Sequence, residues 1–210
     1  MAIAHVVSGH SNGTAFSLAS SGSDRVLIAF SGGGTTAMNY NGTTVINTHT
    51  YTPSFPVGTN CPAIKVWILA NPDTGTNNLT PSGSGFVVAS IYSGVAPGGV
   101  ETYNDEDSAN VQTGTWTGTV TVTTNNSWAI LCNRVNNTTN DFNAGSGTTK
   151  RTSHTGVGDD SLGMFDSNGG LSPGSNTLHS SLTSSSGFFT SVMLSLTPVF
   201  PTAGTFAPYL

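Results

Sequence analysis

Punctuation is what most constrains this chain. Short runs rich in β-branched and aromatic residues recur between Gly, Pro, Asn and Ser turn signals, and no stretch of a dozen residues keeps a 3.6-residue apolar period. A chain written this way has no helix to lay across a sheet, so its apolar faces must be buried sheet against sheet. Residues 26–30 (VLIAF) are apolar on both faces, as in a covered central strand. Residues 37–40 and 43–46 flank Asn41-Gly42, a pair that tolerates the positive φ of a type I′ hairpin turn. The run 64–70 (IKVWILA) stops at Asn71-Pro72-Asp73, because proline removes a ladder donor. Another run, 86–92, follows a Gly/Ser bend.

Later segments alternate. Over 115–124, Trp116, Val120 and Val122 share one face while Thr115, Thr117, Thr119 and Thr121 share the other. Residues 127–135 align Trp128, Ile130 and Cys132, and residues 188–196 align Phe188, Val192, Leu194 and Leu196. With weaker runs near 4–7, 15–18 and 177–183, the reading gives about eight to eleven strands, mostly antiparallel. The expected fold is all-β: a single two-sheet antiparallel β-sandwich of jelly-roll type over residues 1–198, followed by an extended apolar C-terminal arm at 199–210. A chain of 210 residues suits one two-layer core. Residues 136–175 are polar and Gly-rich, with Phe142, Val157, Leu162, Met164, Phe165 and Leu171 as anchors, and are expected to form a long surface excursion.

Charge narrows the function classes. Asp, Glu, Lys and Arg make up 7% of the chain, against about 25% in ordinary soluble domains. A surface of hydroxyls and amides has little like-charge repulsion to hold copies apart, which suits dense assembly. Five basic residues and a net charge of −5 leave no electrostatic footprint for a phosphate backbone, so nucleic acid is not an expected direct partner. The first residues, MAIAHVVSGHSNG, lack a basic start and an apolar run of signal-peptide length, and no segment reaches 18 apolar residues. The expectation is synthesis in a cytoplasm without a signal peptide and no membrane partner. Cys61 and Cys132 are far from any CxxC spacing; a disulfide between them and two buried free thiols are both open, and free thiols are the expectation.

Chemistry-bearing patterns are few. Gly9-His10-Ser11-Asn12-Gly13 matches G-x-S-x-G, but a nucleophile elbow needs a strand before it and a helix after it, and residues 14–21 read as strand and turn. The acidic run containing Asp105, Glu106 and Asp107 offers carboxylate oxygens of the kind calcium takes, as does Asp159-Asp160 with Asp166, but solvated loops are the expectation for both and no metal is expected. His5, His10, His49, His154 and His179 have no paired-ligand spacing. No cofactor is expected. Trp67, Trp116 and Trp128 fall in phase with core residues, whereas Tyr40, Tyr51, Tyr92 and Tyr103 lie near turns and are candidates for a contact surface, including a glycan surface. In the tail VFPTAGTFAPYL, Phe200, Phe206, Tyr209 and Leu210 alternate with prolines and small residues. Such an arm lies along its own domain or docks on a neighbour, its prolines lowering the ordering cost.

Taken together, SGSDRVLIAF, AMNYNGTTVINT, AIKVWILANPDTGTNNL and FVVASIYSGV resemble a Ser/Thr/Gly-rich β-sandwich domain of bacteriophage virion accessory proteins. The likeness spans residues 14–197 and lies in strand order and spacing. It implies a non-catalytic role in an extracellular particle, decorating or cementing a capsid or coating a tail. The implied partners are capsid or tail proteins and copies of the chain itself, with Phe200, Phe206, Tyr209 and Leu210 as the contact residues. A carbohydrate-binding or receptor-binding module is the alternative.

Overall fold

The computed structural model describes residues 1–32, 34–53, 63–111, 115–136, 141–155, 160–183 and 187–200, with backbone alone at 107–111, 187 and 188. Within these residues the chain is strand and turn without a helix. The strands are β1 (Ala4–Asn12), β2 (Phe16–Ser20), β3 (Val26–Ser31), β4 (Gly34–Tyr40), β5 (Thr43–Thr44), β6 (Ile46–Tyr51), β7 (Ile64–Ala70), β8 (Gly75–Ser84), β9 (Phe86–Ser93), β10 (Val95–Val111), β11 (Thr115–Val122), β12 (Trp128–Val135), β13 (Phe142–Ala144), β14 (Thr149–Thr155), β15 (Ser161–Asp166), β16 (Gly174–Leu182) and β17 (Gly187–Pro198). The Asn41-Gly42 hairpin forms as the sequence predicts: both residues hold positive φ (47° and 85°), and Tyr40 pairs with Thr43.

Four antiparallel sheets result, ordered β2-β8-β4-β5, β1-β9-β3-β7-β6, β10-β17-β12-β15-β14 and β11-β16-β13. Side chains alternate across each strand, so one strand can feed two cores. Ile28 and Phe30 of β3 meet Ile130 and Cys132 of β12 in a central core between the two five-stranded sheets. Leu27 and Ala29 point the other way, to Leu18, Met38, Tyr40 and Leu79 of the β2-β8-β4-β5 sheet. In the same way Ala129 and Leu131 reach Trp116, Val120 and Leu178 of the β11-β16-β13 sheet. The sheets therefore stack in four layers, which is why residues 26–30 and 128–135 are buried on both faces.

The antiparallel all-β sandwich architecture is present, with, among the described residues, four layers in place of the expected two and seventeen strands in place of eight to eleven. Much of that difference lies in residues 136–175. The expected surface excursion instead supplies β13, β14, β15 and the start of β16, and β15 is a covered strand between β12 and β14 with all six residues buried. Its sequence, SLGMFD, sets the anchors Leu162, Met164 and Phe165 among Ser161, Gly163 and Asp166; Gly163 lies beneath the Phe142 and Phe165 rings and Asp166 is held by internal partners. Small and paired polar residues can be interior where apolar count alone places them outside.

Candidate functional site

The contact proposed from sequence starts where β17 ends. Phe200 is 55% exposed, at the mouth of a groove of about 510 Å³ lined by Met1, Ile3, Trp128, Gly170 and Pro198. Backbone bonds fix this end of the molecule: Val199 N–H donates to the Gly94 carbonyl at 2.9 Å, and the Met1 amine donates to the Val199 carbonyl at 2.5 Å. Phe206, Tyr209 and Leu210 lie outside the described residues, as do Cys61 and Asp159.

The acidic run falls on β10, where alternation sends neighbouring side chains to opposite faces. The Asp105 carboxylate is 2.7 Å from His49 Nε2. Glu106 Oε1 accepts from Asn104 Nδ2 at 2.9 Å and from the Thr119 hydroxyl at 3.1 Å. The Asp107 side chain lies outside the described residues, and among the described residues no three His, Cys, Asp or Glu side chains gather as a metal site. Glu106 belongs instead to a row along β10 that lies against the edge of β11. Thr102 Oγ1 donates to the Thr121 carbonyl (2.9 Å), Asn104 Nδ2 donates to the Thr119 carbonyl (2.7 Å), and Glu101 Oε2 accepts from the Thr123 N–H (3.3 Å). Burial pushes the Glu101 carboxyl up, but hydrogen bonds from Thr197, Thr124 and Thr123 outweigh it and hold the group below the ordinary value.

Other ionisable groups gather where the two five-stranded sheets face one another. The guanidinium of Arg134 is fully buried, 2.5 Å from Asp160, and donates to the Ala63 carbonyl at 3.0 Å across the central core. Arg151 Nε lies 2.5 Å from Asp166, which also accepts the Tyr92 hydroxyl at 3.0 Å. Burial first, and the neighbouring Asp166 second, push the Tyr92 phenol far up, so it stays a donor. At one rim His49 stacks on Tyr103; at the other His10 Nδ1 lies 3.0 Å from Thr152 Oγ1 and its ring is 5.6 Å from that of His154. Burial lowers His154, with His10 adding to it; burial and Arg151 lower His5.

The remaining candidates sort by burial. Ser11 is buried within β1, with strand on either side of it and no helix behind it. Cys132 is a buried free thiol, as expected, and burial raises its pKa well above the ordinary value, which keeps it a poor nucleophile. Trp67, Trp116 and Trp128 are core residues, as expected. Tyr40 and Tyr92 are also fully buried, which removes them from the contact surface: each faces its core and directs its hydroxyl to an internal acceptor. Compared with protein-family models, curated proteins and solved structures, the chain has no match. Sequence reading overlooked the Arg134 pair, although a signal existed: Arg134 continues the alternation of Trp128, Ile130 and Cys132 on a core face.

Proposed function

We propose that the chain is a non-catalytic virion structural protein that decorates or cements a phage capsid, or coats a tail, by surface docking. The observation that carries this reading is the chemistry of the two outermost sheets. Their outward positions are Ser17, Thr76, Asn78, Thr80 and Ser82 on one side, and Thr115, Thr117, Thr121, Ser175 and Thr177 on the other. Among the described residues neither face carries Lys, Arg, Asp or Glu. Such faces present hydrogen-bonding groups without the repulsion that keeps crowded copies apart. The strand orders β1-β9-β3-β7 and β2-β8-β4-β5 support it further, because they alternate between sheets as in the jelly rolls common to capsid proteins. The glycan-binding alternative gains less: Trp67, Trp116, Trp128, Tyr40 and Tyr92 have no open ring face for a sugar.

Docking would combine the outer faces with the apolar arm, Phe200 first and then Phe206, Tyr209 and Leu210. The test is truncation after Pro198. Co-sedimentation with particles should be lost while the far-UV spectrum stays that of the full chain and the melting midpoint falls only by what the two Val199 backbone bonds contribute. Binding that survives truncation removes the arm from the mechanism, and binding to no particle of any kind removes the reading.

A further inference from the structure

We infer that the chain is one jelly-roll module in tandem duplicate, and that the inner face of each five-stranded sheet is a docking surface for a second copy of that module. Strand order is the first support. Advancing each of β1, β2 and β3 by nine strands, and β4 likewise, gives β10 to β13; β6 to β9 then match β14 to β17. Under that match β1-β9-β3-β7-β6 becomes β10-β17-β12-β15-β14, and β2-β8-β4 becomes β11-β16-β13; the two-residue β5 alone has no counterpart among the described residues. Every described ladder is made within β1–β9 or within β10–β17, so the halves meet by side-chain packing and not by shared sheet.

Turns repeat as well. Asp24 and Asn126 hold positive φ (51° and 62°), each two residues before the matching strand, β3 or β12. Gly75 and Gly174 open β8 and β16, also at positive φ. Two residues on, Asn77 and Asn176 turn their amides back to the preceding carbonyls, and Leu79 and Leu178 enter the outer cores. Leu18 pairs with Asn77 as Val120 pairs with Asn176.

The register between halves has the geometry of a twofold axis. One straight row across the first inner sheet reads His49, Val66, Phe30, Val88, His10; the matching row reads Thr152, Met164, Cys132, Val192, Asp105. His49 thus corresponds to Thr152, and His10 to Asp105. Among the contacts observed between halves are His49 with Asp105 and His10 with Thr152, each the image of the other. Two residues beyond Phe30 and Cys132 stand Gly32 and Arg134, and these face each other: a Cβ on Gly32 would lie 2.8 Å from Arg134 Cζ. A position that meets its own counterpart sits on the axis. Two arginines would collide there, and the glycine makes room for one.

The termini obey the same symmetry, since Gly94, at the link from β9 to β10, accepts from the Val199 N–H, and Val199 in turn accepts from the Met1 amine. The test is a circular permutant in which residues 95–210 precede residues 1–94, which exchanges the modules and removes the 94–95 bond. The parent chain carrying a protease site inserted after the exposed Gly98, in the irregular stretch of β10 between Val95 and Val100, cut after folding, is the companion variant. Expected results are a monomeric permutant with the parent's far-UV spectrum, melting within about 5 °C of it, and a cut chain that remains a 1:1 complex. If the permutant does not fold, the cut chain decides: halves that part on dilution to nanomolar concentration overturn the inference. A folded permutant that exposes its inner faces, read as dye binding absent from the parent, also overturns it.

Discussion

Replacing Asp160 by Ala should be among the most damaging single changes available in this chain. Arg134 has no solvent exposure, and Asp160 is 13% exposed at the rim of the same site. The truncation removes the carboxylate 2.5 Å from a guanidinium that lies in the central core, facing Phe86 at 5.6 Å and bonded to the Ala63 carbonyl. Breaking one side of a buried pair costs about 3–5 kcal/mol. In a chain of this length each kcal/mol moves the melting midpoint about 2–4 °C, so the expected fall is roughly 6–20 °C. Arg134→Met should cost less, because the carboxylate it leaves behind reaches water. The double variant should recover much of the Asp160→Ala loss, since a methionine in that space strands no charge. Urea titration of the four proteins, with m constant across the set, measures the coupling. Single variants that each cost under about 1 kcal/mol, or a double that equals their sum, would place the pair among ordinary solvated bridges and refute the reasoning.

Acid should loosen the rim where β1 meets β14. His154 and His5 bind protons less readily folded than unfolded, so stability is intact above the unfolded imidazole value of about 6.5 and declines as pH falls through it toward their lowered folded values. The difference in melting midpoint between the parent and His154→Gln should therefore shift in favour of the variant from pH 7 to 5; an unchanged difference counts against it. Gly94→Ala should cost about 1–3 kcal/mol, because the residue sits at φ 72° and a Cβ there runs into the Ala2 carbonyl. A melting midpoint equal to the parent's would show that the junction relaxes.

Residues 26–30, 41–42, 64–70 and 115–122 were legible because each states its environment locally: two apolar faces, a turn pair, a proline stop, a clean alternation. What the sequence hid was stacking. Nothing local distinguishes a strand buried once from one buried twice when its polar residues are satisfied inside, as Asp166 and Arg134 are. For the same reason β15 reads as a loop and Tyr92 as a surface aromatic. The acidic run on β10 was visible as charge; that its members fasten one strand to another depends on register, which composition does not carry.

The row of side chains from Glu101 to Glu106 has a consequence for life at high concentration. A strand at a sheet border offers its free N–H and C=O groups to any passing chain, and proteins usually guard such borders with lysines or prolines. With so few charges, this molecule has little electrostatic deterrent against fibril-like growth. At the 119–123 end of β11, donors and acceptors are instead occupied from within, by carboxylates, an amide and a hydroxyl standing in for a neighbouring backbone. A second copy is thereby denied the backbone groups it would need to extend the sheet at that end of β11.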